Sequence, residues 1–339
     1  MKHKEEPMDR KLPYLQWLRC FAAAAVVMMH LCSKAWYAAI PGSGDWQMLN
    51  LSESLVRWPV PVFVMISGAL FLGRERPMGK YIGRVLIALV FWSGLYTLVS
   101  GKTEMAAATE FFCGHYHLWY LYFLCGLYLI TPFLGIIARN ENLCRRFLVL
   151  SLIFGNVLPR IPELVHLFSP ELGALADGIY GRIKISFCLG YVFQFVLGYR
   201  LSLWEPEKWQ RRTLYALGLL GWVVTFFCTD ALSDWKATPV QLLYDPQSLH
   251  ISATAAAIFV FAKTHLTRLP KWVDSLARCS FGIYLSHALV IEELAKQNIS
   301  VLTWDPAWAV PALTAAVTVL CWAGTALLRR IPAVGHYLS

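Results

Sequence analysis

Charged residues are scarce in this sequence. Asp, Glu, Lys and Arg make up 15% of its 339 residues, whereas a soluble globular protein has about 25%. Apolar and aromatic types account for 57% of the chain. This composition excludes an ordinary soluble domain and predicts a polytopic membrane protein. The 14 Trp and 15 Tyr residues agree with that class, because both types anchor helices at membrane–water boundaries.

Cysteine pairs of the C-x-x-C type are also missing. The 9 Cys are scattered, mostly inside apolar stretches, so we expect buried free thiols rather than disulfides or a metal site. His115 and His117 have His-x-His spacing, but no carboxylate or third ligand is close in sequence, so no metal is expected there. No basic run is interleaved with aromatic residues, and nucleic acid is therefore not an expected partner.

Ten apolar windows have about the 20 residues that a helix needs to cross a bilayer. The windows are long and do not alternate in polarity, which favours helices over barrel strands. The predicted fold is therefore all-α, with about ten transmembrane helices embedded in the lipid bilayer. The windows lie near residues 13–34, 54–72, 82–100, 117–137, 146–160, 185–203, 213–230, 248–264, 278–295 and 307–328.

The distribution of basic residues predicts the orientation of these spans. If the N-terminus is cytoplasmic, most of the 30 Lys and Arg residues fall in cytoplasmic loops, as the positive-inside rule requires. Ten spans then return the C-terminus to the cytoplasm. We expect residues 1–339 to form a single membrane domain, with its first helix retained as a span. The longest outer loop, near residues 161–184, has room only for a small lid or an interfacial helix.

The first window, LRCFAAAAVVMMHLC, contains Arg19 and His30. Eleven residues of α-helix make three turns plus about 20°, so the two side chains share one face about 16 Å apart along the axis. Ionisable residues inside a span usually face the interior of the helix bundle and mark a functional site. In the alternative interpretation, Arg19 extends to the inner membrane–water interface and His30 to the outer one. The alanines between them let neighbouring helices approach closely and favour the first interpretation.

Four stretches of the chain, in order, resemble the acyltransferase-three family of integral-membrane acyltransferases. Arg19, ten residues and His30 resemble the signature of its first span. PVPVFVMISGALFL (59–72) looks like its second span and HLWYLYFLCGLYLITPFL (117–134) like its fourth. SFGIYLSHALVI (280–291) is similar to its late Tyr-Leu-x-His span. The resemblance covers most of the chain.

This resemblance implies an acetyl-CoA-dependent O-acyltransferase of the bacterial cytoplasmic membrane. The acceptor would be a hydroxyl of an envelope glycan or another small hydroxylated molecule outside the cytoplasm, and no cofactor would be bound permanently. His30 is the candidate catalytic residue, because an imidazole can deprotonate a hydroxyl or carry the acyl group itself. The sequence leaves these two roles open. The family resemblance makes Arg19 its partner.

Further candidates fall into two groups. Arg74, Arg76, Lys80 and Arg84 form a basic cluster before the third span and are candidates to bind the phosphates of the donor, or they merely follow the positive-inside rule. Candidate substrate-binding residues at the outer side of the membrane are Arg57, His117, Trp119, Tyr120 and Glu292, with interfacial anchoring as the alternative role of Trp119 and Tyr120. Tyr284 and His287 are further candidates in the middle of the ninth span, where His287 either lines the acyl path or makes a structural hydrogen bond between helices. For Arg57 we expect an ion pair with Glu292 or Glu293. Ser67 and Gly68 are expected to make a close helix contact rather than supply a nucleophile.

Two other classes of function fit the same features. Ten spans with internal ionisable residues suit a transporter of serine, another small molecule or a polysaccharide, although neither inverted repeats nor paired broken helices are found. One branch of the family resembles the membrane portion of serine racemases linked to glycopeptide resistance. A catalytically silent anchor for a partner enzyme would leave Arg19 and His30 without a role.

Overall fold

The computed structural model describes residues 12–183, 190–332 and 335–339. Within these ranges the chain is all-α and contains no β-strand. A π-helical turn, Leu152–Val157, joins α7 to α8, and a 3₁₀ turn, Leu242–Tyr244, precedes α12. The α-helices are α1 Pro13–Ala38, α2 Gly44–Leu55, α3 Pro59–Phe71, α4 Met78–Ser100, α5 Glu104–Cys113, α6 Trp119–Arg139, α7 Glu141–Ser151, α8 Arg160–Phe168, α9 Pro170–Tyr180, α10 Val192–Leu203, α11 Lys208–Lys236, α12 Leu249–His265, α13 Lys271–Lys296, α14 Pro306–Leu328 and α15 Gly335–Leu338.

Seven helical segments of the described residues are long and apolar enough to cross a membrane, which makes this a polytopic membrane protein. They are Pro13–Ala38, Gly44–Phe71, Met78–Ser100, Trp119–Arg139, Glu141–Phe168, Lys208–Lys236 and Pro306–Leu328. Three other predicted windows coincide with helices outside this group, α10, α12 and α13, of 12, 17 and 26 residues. The first residues of the window near 185–203 lie outside the described ranges.

The first helix lies at the centre of the bundle. It packs against α2, α3, α12, α13 and α14. Ala22, Ala23 and Ala25 are buried, as the alanine run predicts, since small side chains let helix backbones approach closely. Val27 and Leu31 pack in one buried apolar cluster with Ile283 of α13. The face of α1 that carries Arg19 and His30 is thereby held inside the protein.

Glycines allow a close helix contact between α3 and α10. A Cβ atom added to Gly68 would overlap the Phe195 carbonyl, and one added to Gly198 would overlap the Met65 backbone. The backbones of the two helices therefore touch without intervening side chains. This contact confirms the close helix contact expected at Gly68, whereas Ser67 lines the cavity described below and donates its hydroxyl hydrogen to the Phe63 carbonyl oxygen.

We predict that Gly198→Ala destabilises the protein by about 1–3 kcal/mol or more, because the added methyl group overpacks a contact made by backbone atoms. Gly126→Ala is the matched control: it lies within α6, no atom lies within 4 Å of the added Cβ, and alanine favours the helix by about 0.5–1 kcal/mol. Thermal unfolding followed by circular dichroism in detergent measures both variants. Equal melting temperatures for the two variants would contradict the packing argument.

Candidate active site

A cavity of 540 Å³ lies beside α1 and is lined by both Arg19 and His30. The eleven-residue spacing of these side chains predicts this shared face. Many of the other lining side chains are apolar, and several polar ones, such as Ser67 and Tyr128, carry no charge. The apolar lining residues are Val26, Met29, Val60, Phe63, Ile66, Leu70, Phe71, Val85, Leu124, Pro246, Ala277 and Phe281.

The end of the cavity near Arg19, called here the arginine end, contains the guanidinium groups of Arg19, Arg84, Arg278 and Arg329. Arg84 Nη2 donates a hydrogen bond to the carbonyl oxygen of Ser339 at 2.6 Å. Arg329 Nη1 donates to the carbonyl oxygen of Arg278 at 2.8 Å. The second bond joins Arg278 of α13 to Arg329, which follows the last residue of α14.

Acidic side chains are few at the arginine end. Arg278 pairs with Asp274 at 2.5 Å. In contrast, no Asp or Glu side chain of the described residues forms an ion pair with Arg19 or Arg84. Both side chains are shielded from bulk water, and Arg84 Nε has no hydrogen-bond partner among the described residues. A set of clustered guanidinium groups with too few counter-charges is suited to bind a polyanion.

The other end of the cavity, called here the histidine end, contains His30. Its ring lies 5.3 Å from the ring of Tyr116, centroid to centroid, and 5.0 Å from that of His287. The part of the chain that the structure describes offers no hydrogen bond to either ring nitrogen of His30. Because the side chain lines the cavity, one of these nitrogens can contact a bound molecule.

Arg57 also lines the histidine end, but its partner differs from the expected one. It forms an ion pair with Glu53, one helical turn earlier, and not with Glu292 or Glu293. The expected pairing is therefore wrong. Its guanidinium lies 4.0 Å from the ring centre of Tyr244, in a cation–π contact. The sequence separation of four explains the outcome, since residues i and i+4 meet at the end of a helix.

Glu292 lies outside the cavity and belongs to a polar chain behind it. Its Oε1 lies 3.0 Å from His115 Nε2, and His115 Nδ1 lies 3.1 Å from His117 Nδ1. Burial lowers the pKa of the His115 imidazole, whereas the Glu292 carboxylate acts to raise it. His117 is buried and lines the cavity with its ring.

Aromatic side chains form a wall beside His117. Trp119, Tyr120 and Tyr284 all line the cavity. The Tyr284 hydroxyl donates to the His117 carbonyl oxygen, and Trp119 stacks on Tyr191 with centroids 5.9 Å apart. Such a wall presents flat apolar faces with polar edges, which is a surface suited to a sugar ring.

The structure does not bring all the predicted residues to the cavity. Arg74 and Lys80 are exposed at the surface, and Arg76 donates to the Tyr81 hydroxyl at 3.1 Å. None of these three lines the cavity, unlike Arg84. His287 is fully buried behind His30 and does not line it either.

Two arginines of the site, Arg278 and Arg329, were missed by the sequence analysis. In the predicted orientation both fall in cytoplasmic segments, where the positive-inside rule already accounts for them. Nothing in the spacing of either residue marks it as part of a cavity. In the described ranges, no group of three or more His, Cys, Asp or Glu side chains is arranged to hold a metal ion.

A family model described as an acyltransferase domain matches residues 12–326 of the chain. No curated protein and no solved structure matches the chain. The match spans every residue that lines the cavity except Arg329.

We predict that Arg57→Gln destabilises the protein by about 3–5 kcal/mol, because it leaves the fully buried Glu53 carboxylate without its cation. The double variant Glu53→Gln/Arg57→Gln should recover part of this loss, since no charge then remains buried. Lys296→Gln, at a half-exposed ion pair with Glu293, serves as the control and should change stability by at most about 1 kcal/mol. Thermal unfolding of all three variants tests the ion pair. An unchanged melting temperature for Arg57→Gln would show that the Arg57–Glu53 ion pair contributes nothing to stability.

Proposed function

The chain belongs to the acyltransferase family matched over residues 12–326, and from this membership and the cavity we propose that it is an O-acyltransferase of the bacterial cytoplasmic membrane. It transfers an acetyl group from cytoplasmic acetyl-CoA to a hydroxyl of an envelope glycan or a small hydroxylated acceptor. Residues 1–339 act as a single membrane domain of ten spans with both termini in the cytoplasm. No cofactor stays bound between turnovers.

The observation that carries this proposal is one continuous cavity with opposite chemical character at its ends. Guanidinium groups lie at the arginine end and an imidazole with an available nitrogen lies at the histidine end. Arg19 and His30, on one face of α1, are separated by about 16 Å along the helix axis. In the proposed orientation the arginine end faces the cytoplasm and the histidine end faces outward, so donor and acceptor meet inside the membrane.

The arginine end is the proposed donor site. Arg19, Arg84, Arg278 and Arg329 bind the phosphates of acetyl-CoA through charge-assisted hydrogen bonds, and the apolar middle of the cavity accepts the long pantetheine arm. Arg74, Arg76 and Lys80 lie outside the cavity near the start of α4. We assign them the weaker role of attracting the polyanionic donor to the cytoplasmic face.

The histidine end is the proposed site of acyl transfer. The cavity-facing nitrogen of His30 takes the proton of the acceptor hydroxyl as its oxygen attacks the thioester carbonyl carbon. The new C–O bond forms and the C–S bond breaks, and the imidazolium then returns the proton to the leaving thiolate. The products are the acyl ester and free CoA, and His30 is regenerated. Direct transfer suits a continuous cavity, since donor and acceptor reach the same imidazole.

The wall beside His117 is the proposed acceptor site. Trp119, Tyr120 and Tyr284 offer ring faces on which a pyranose can pack, and Arg57 offers N–H groups toward its hydroxyls. His117 contributes the edge of its ring to the same wall. His287 and Glu292 lie behind this wall. We therefore assign them support of the acceptor site rather than direct contact with the acceptor.

We predict that His30→Ala lowers acetyl transfer by at least about 100-fold, the usual contribution of a general base, while the protein still folds. The assay uses purified protein in liposomes with acetyl-CoA labelled on the acetyl group and an envelope extract as acceptor, and it follows CoA release and labelled glycan. His166→Ala is the control, because His166 pairs with Asp177 at the surface. Normal transfer by His30→Ala would refute the assignment.

The same assay without acceptor separates the two roles of His30. As a general base it leaves no label on the protein, whereas an acyl-imidazole retains the acetyl group covalently. Absence of both CoA binding and turnover in the wild-type protein would favour a transporter or an anchor.

We predict that Arg19→Gln and Arg84→Gln each raise the KM for acetyl-CoA by about tenfold or more, since a hydrogen bond between charged groups contributes about 1.5–3 kcal/mol. Arg212→Gln removes the same charge from an exposed position of α11 and should leave the KM within about twofold. Initial rates over a range of donor concentrations give these constants. Equal effects of Arg84→Gln and Arg212→Gln would contradict a donor site inside the cavity.

A further inference from the structure

His287 is a fully buried histidine on α13 with one ring nitrogen unsatisfied. Its Nδ1 lies 2.6 Å from the carbonyl oxygen of Tyr284. A carbonyl oxygen only accepts hydrogen bonds, so Nδ1 must carry the proton. In the neutral ring Nε2 is then a bare acceptor, and it has no hydrogen-bond partner among the described residues. An unpaired acceptor with no exposed surface is costly, which indicates a donor that the ring is arranged to meet.

Among the described residues, three other aromatic rings contact that of His287, and one of them can supply the donor. The ring of Tyr284 is 6.1 Å away, and its hydroxyl already donates to the His117 carbonyl oxygen. The rings of His30 and His117 both have centroids 5.0 Å from that of His287.

The nitrogens of His117 are already engaged. Its Nε2 lies 3.3 Å from the Leu285 carbonyl oxygen, and its Nδ1 lies 3.1 Å from His115 Nδ1. The ring nitrogens of His30, in contrast, form no hydrogen bond with any described residue. His30 is therefore the neighbour whose N–H matches the unpaired acceptor of His287.

We propose that His287 is a positioning residue for His30: its Nε2 accepts a hydrogen bond from one ring N–H of His30 and thereby keeps the other nitrogen unprotonated toward the cavity. This inference rests on the proposed function, in which His30 acts on the acceptor. A hydrogen bond of about 2.9 Å between a nitrogen of each ring places the two ring centroids about as far apart as those of His30 and His287, which are separated by 5.0 Å. Rotation of the His30 ring completes the bond.

The surroundings fix the orientation of His287 before any substrate binds. The bond from Nδ1 to the Tyr284 carbonyl holds the ring against its own helix. That segment of α13 is itself tied to α4, because the Tyr96 hydroxyl donates to the Leu285 carbonyl at 2.8 Å and accepts from the Leu289 amide at 3.1 Å. A fixed acceptor selects one tautomer of its partner, as the orienting group of a catalytic triad does.

During transfer this bond would also stabilise the protonated form of His30. The proton taken from the acceptor hydroxyl stays on the cavity-facing nitrogen, while the N–H toward His287 remains in place. The proton then leaves with the thiolate, so His287 neither gains nor loses one. Charged and titratable groups around His30 are Arg57 at the cavity, His117 and Tyr116 in the loop before α6, and the His115–Glu292 pair behind them.

Two substitutions of His287 separate this role from a purely structural one. His287→Gln keeps an acceptor oxygen near the position of Nε2, whereas His287→Phe fills the space without one. We expect His287→Phe to lower kcat by about 10–100-fold with the donor KM within about twofold, and His287→Gln to recover much of that loss. His250→Gln is the control, since His250 is partly buried, bonds the Leu243 carbonyl and does not line the cavity.

A spectroscopic measurement tests the hydrogen bond without relying on activity. In protein labelled with ¹⁵N-histidine, a coupling across the bond should link the nitrogens of His30 and His287, and His30 should show a single neutral tautomer. His30→Asn assigns the signals. In His287→Phe the His30 signal should show both tautomers.

Three results would overturn the inference: a wild-type His287 protonated on Nε2, a wild-type His30 without the coupling, or equal kcat for the Gln and Phe variants. The wild-type spectrum decides the matter even where His287→Phe fails to fold. Failure of the proposed function gives a different pattern, in which the coupling is present but His30→Ala still transfers the acetyl group.

Discussion

The structure depends on the burial of an arginine and a histidine on one face of a helix that crosses the membrane. A charged group in hydrocarbon is costly, so the face of α1 with Arg19 and His30 must lie against protein or a polar cavity. Five other helices pack around α1 and provide that enclosure. The cavity follows from this constraint, because the two side chains need a shared space that lipid does not enter.

Close helix packing next to the cavity holds its walls in place. The glycines at positions 68 and 198 let α3 and α10 touch along their backbones, so the wall that α3 presents to the cavity is held by rigid contacts. The ion pair of Arg57 with Glu53 fixes the turn that leads into α3. A site whose walls are set by backbone contacts and buried ion pairs is preorganised, as efficient catalysis requires.

The polar groups of the site form two separate sets, which differ in how fully their charges are paired. At the arginine end, cations from four regions of the chain converge with few acidic side chains to balance them. At the histidine end, most groups are paired: Arg57 with Glu53, and His115 with Glu292. The contrast suits an anionic donor at one end and a neutral hydroxylated acceptor at the other.

By itself the sequence determined the class of the protein and the helix face along which its candidate site lies. Hydrophobic length revealed the helices, and the eleven-residue spacing placed Arg19 and His30 on one face, because both depend only on local helix geometry. The partners of these residues were decided by the tertiary structure. The wrong partner predicted for Arg57, the missed Arg278 and Arg329, and the position of His287 behind His30 all concern contacts between helices. Local periodicity shows which face of a helix is polar, but only the packing of the bundle decides which other side chains that face meets.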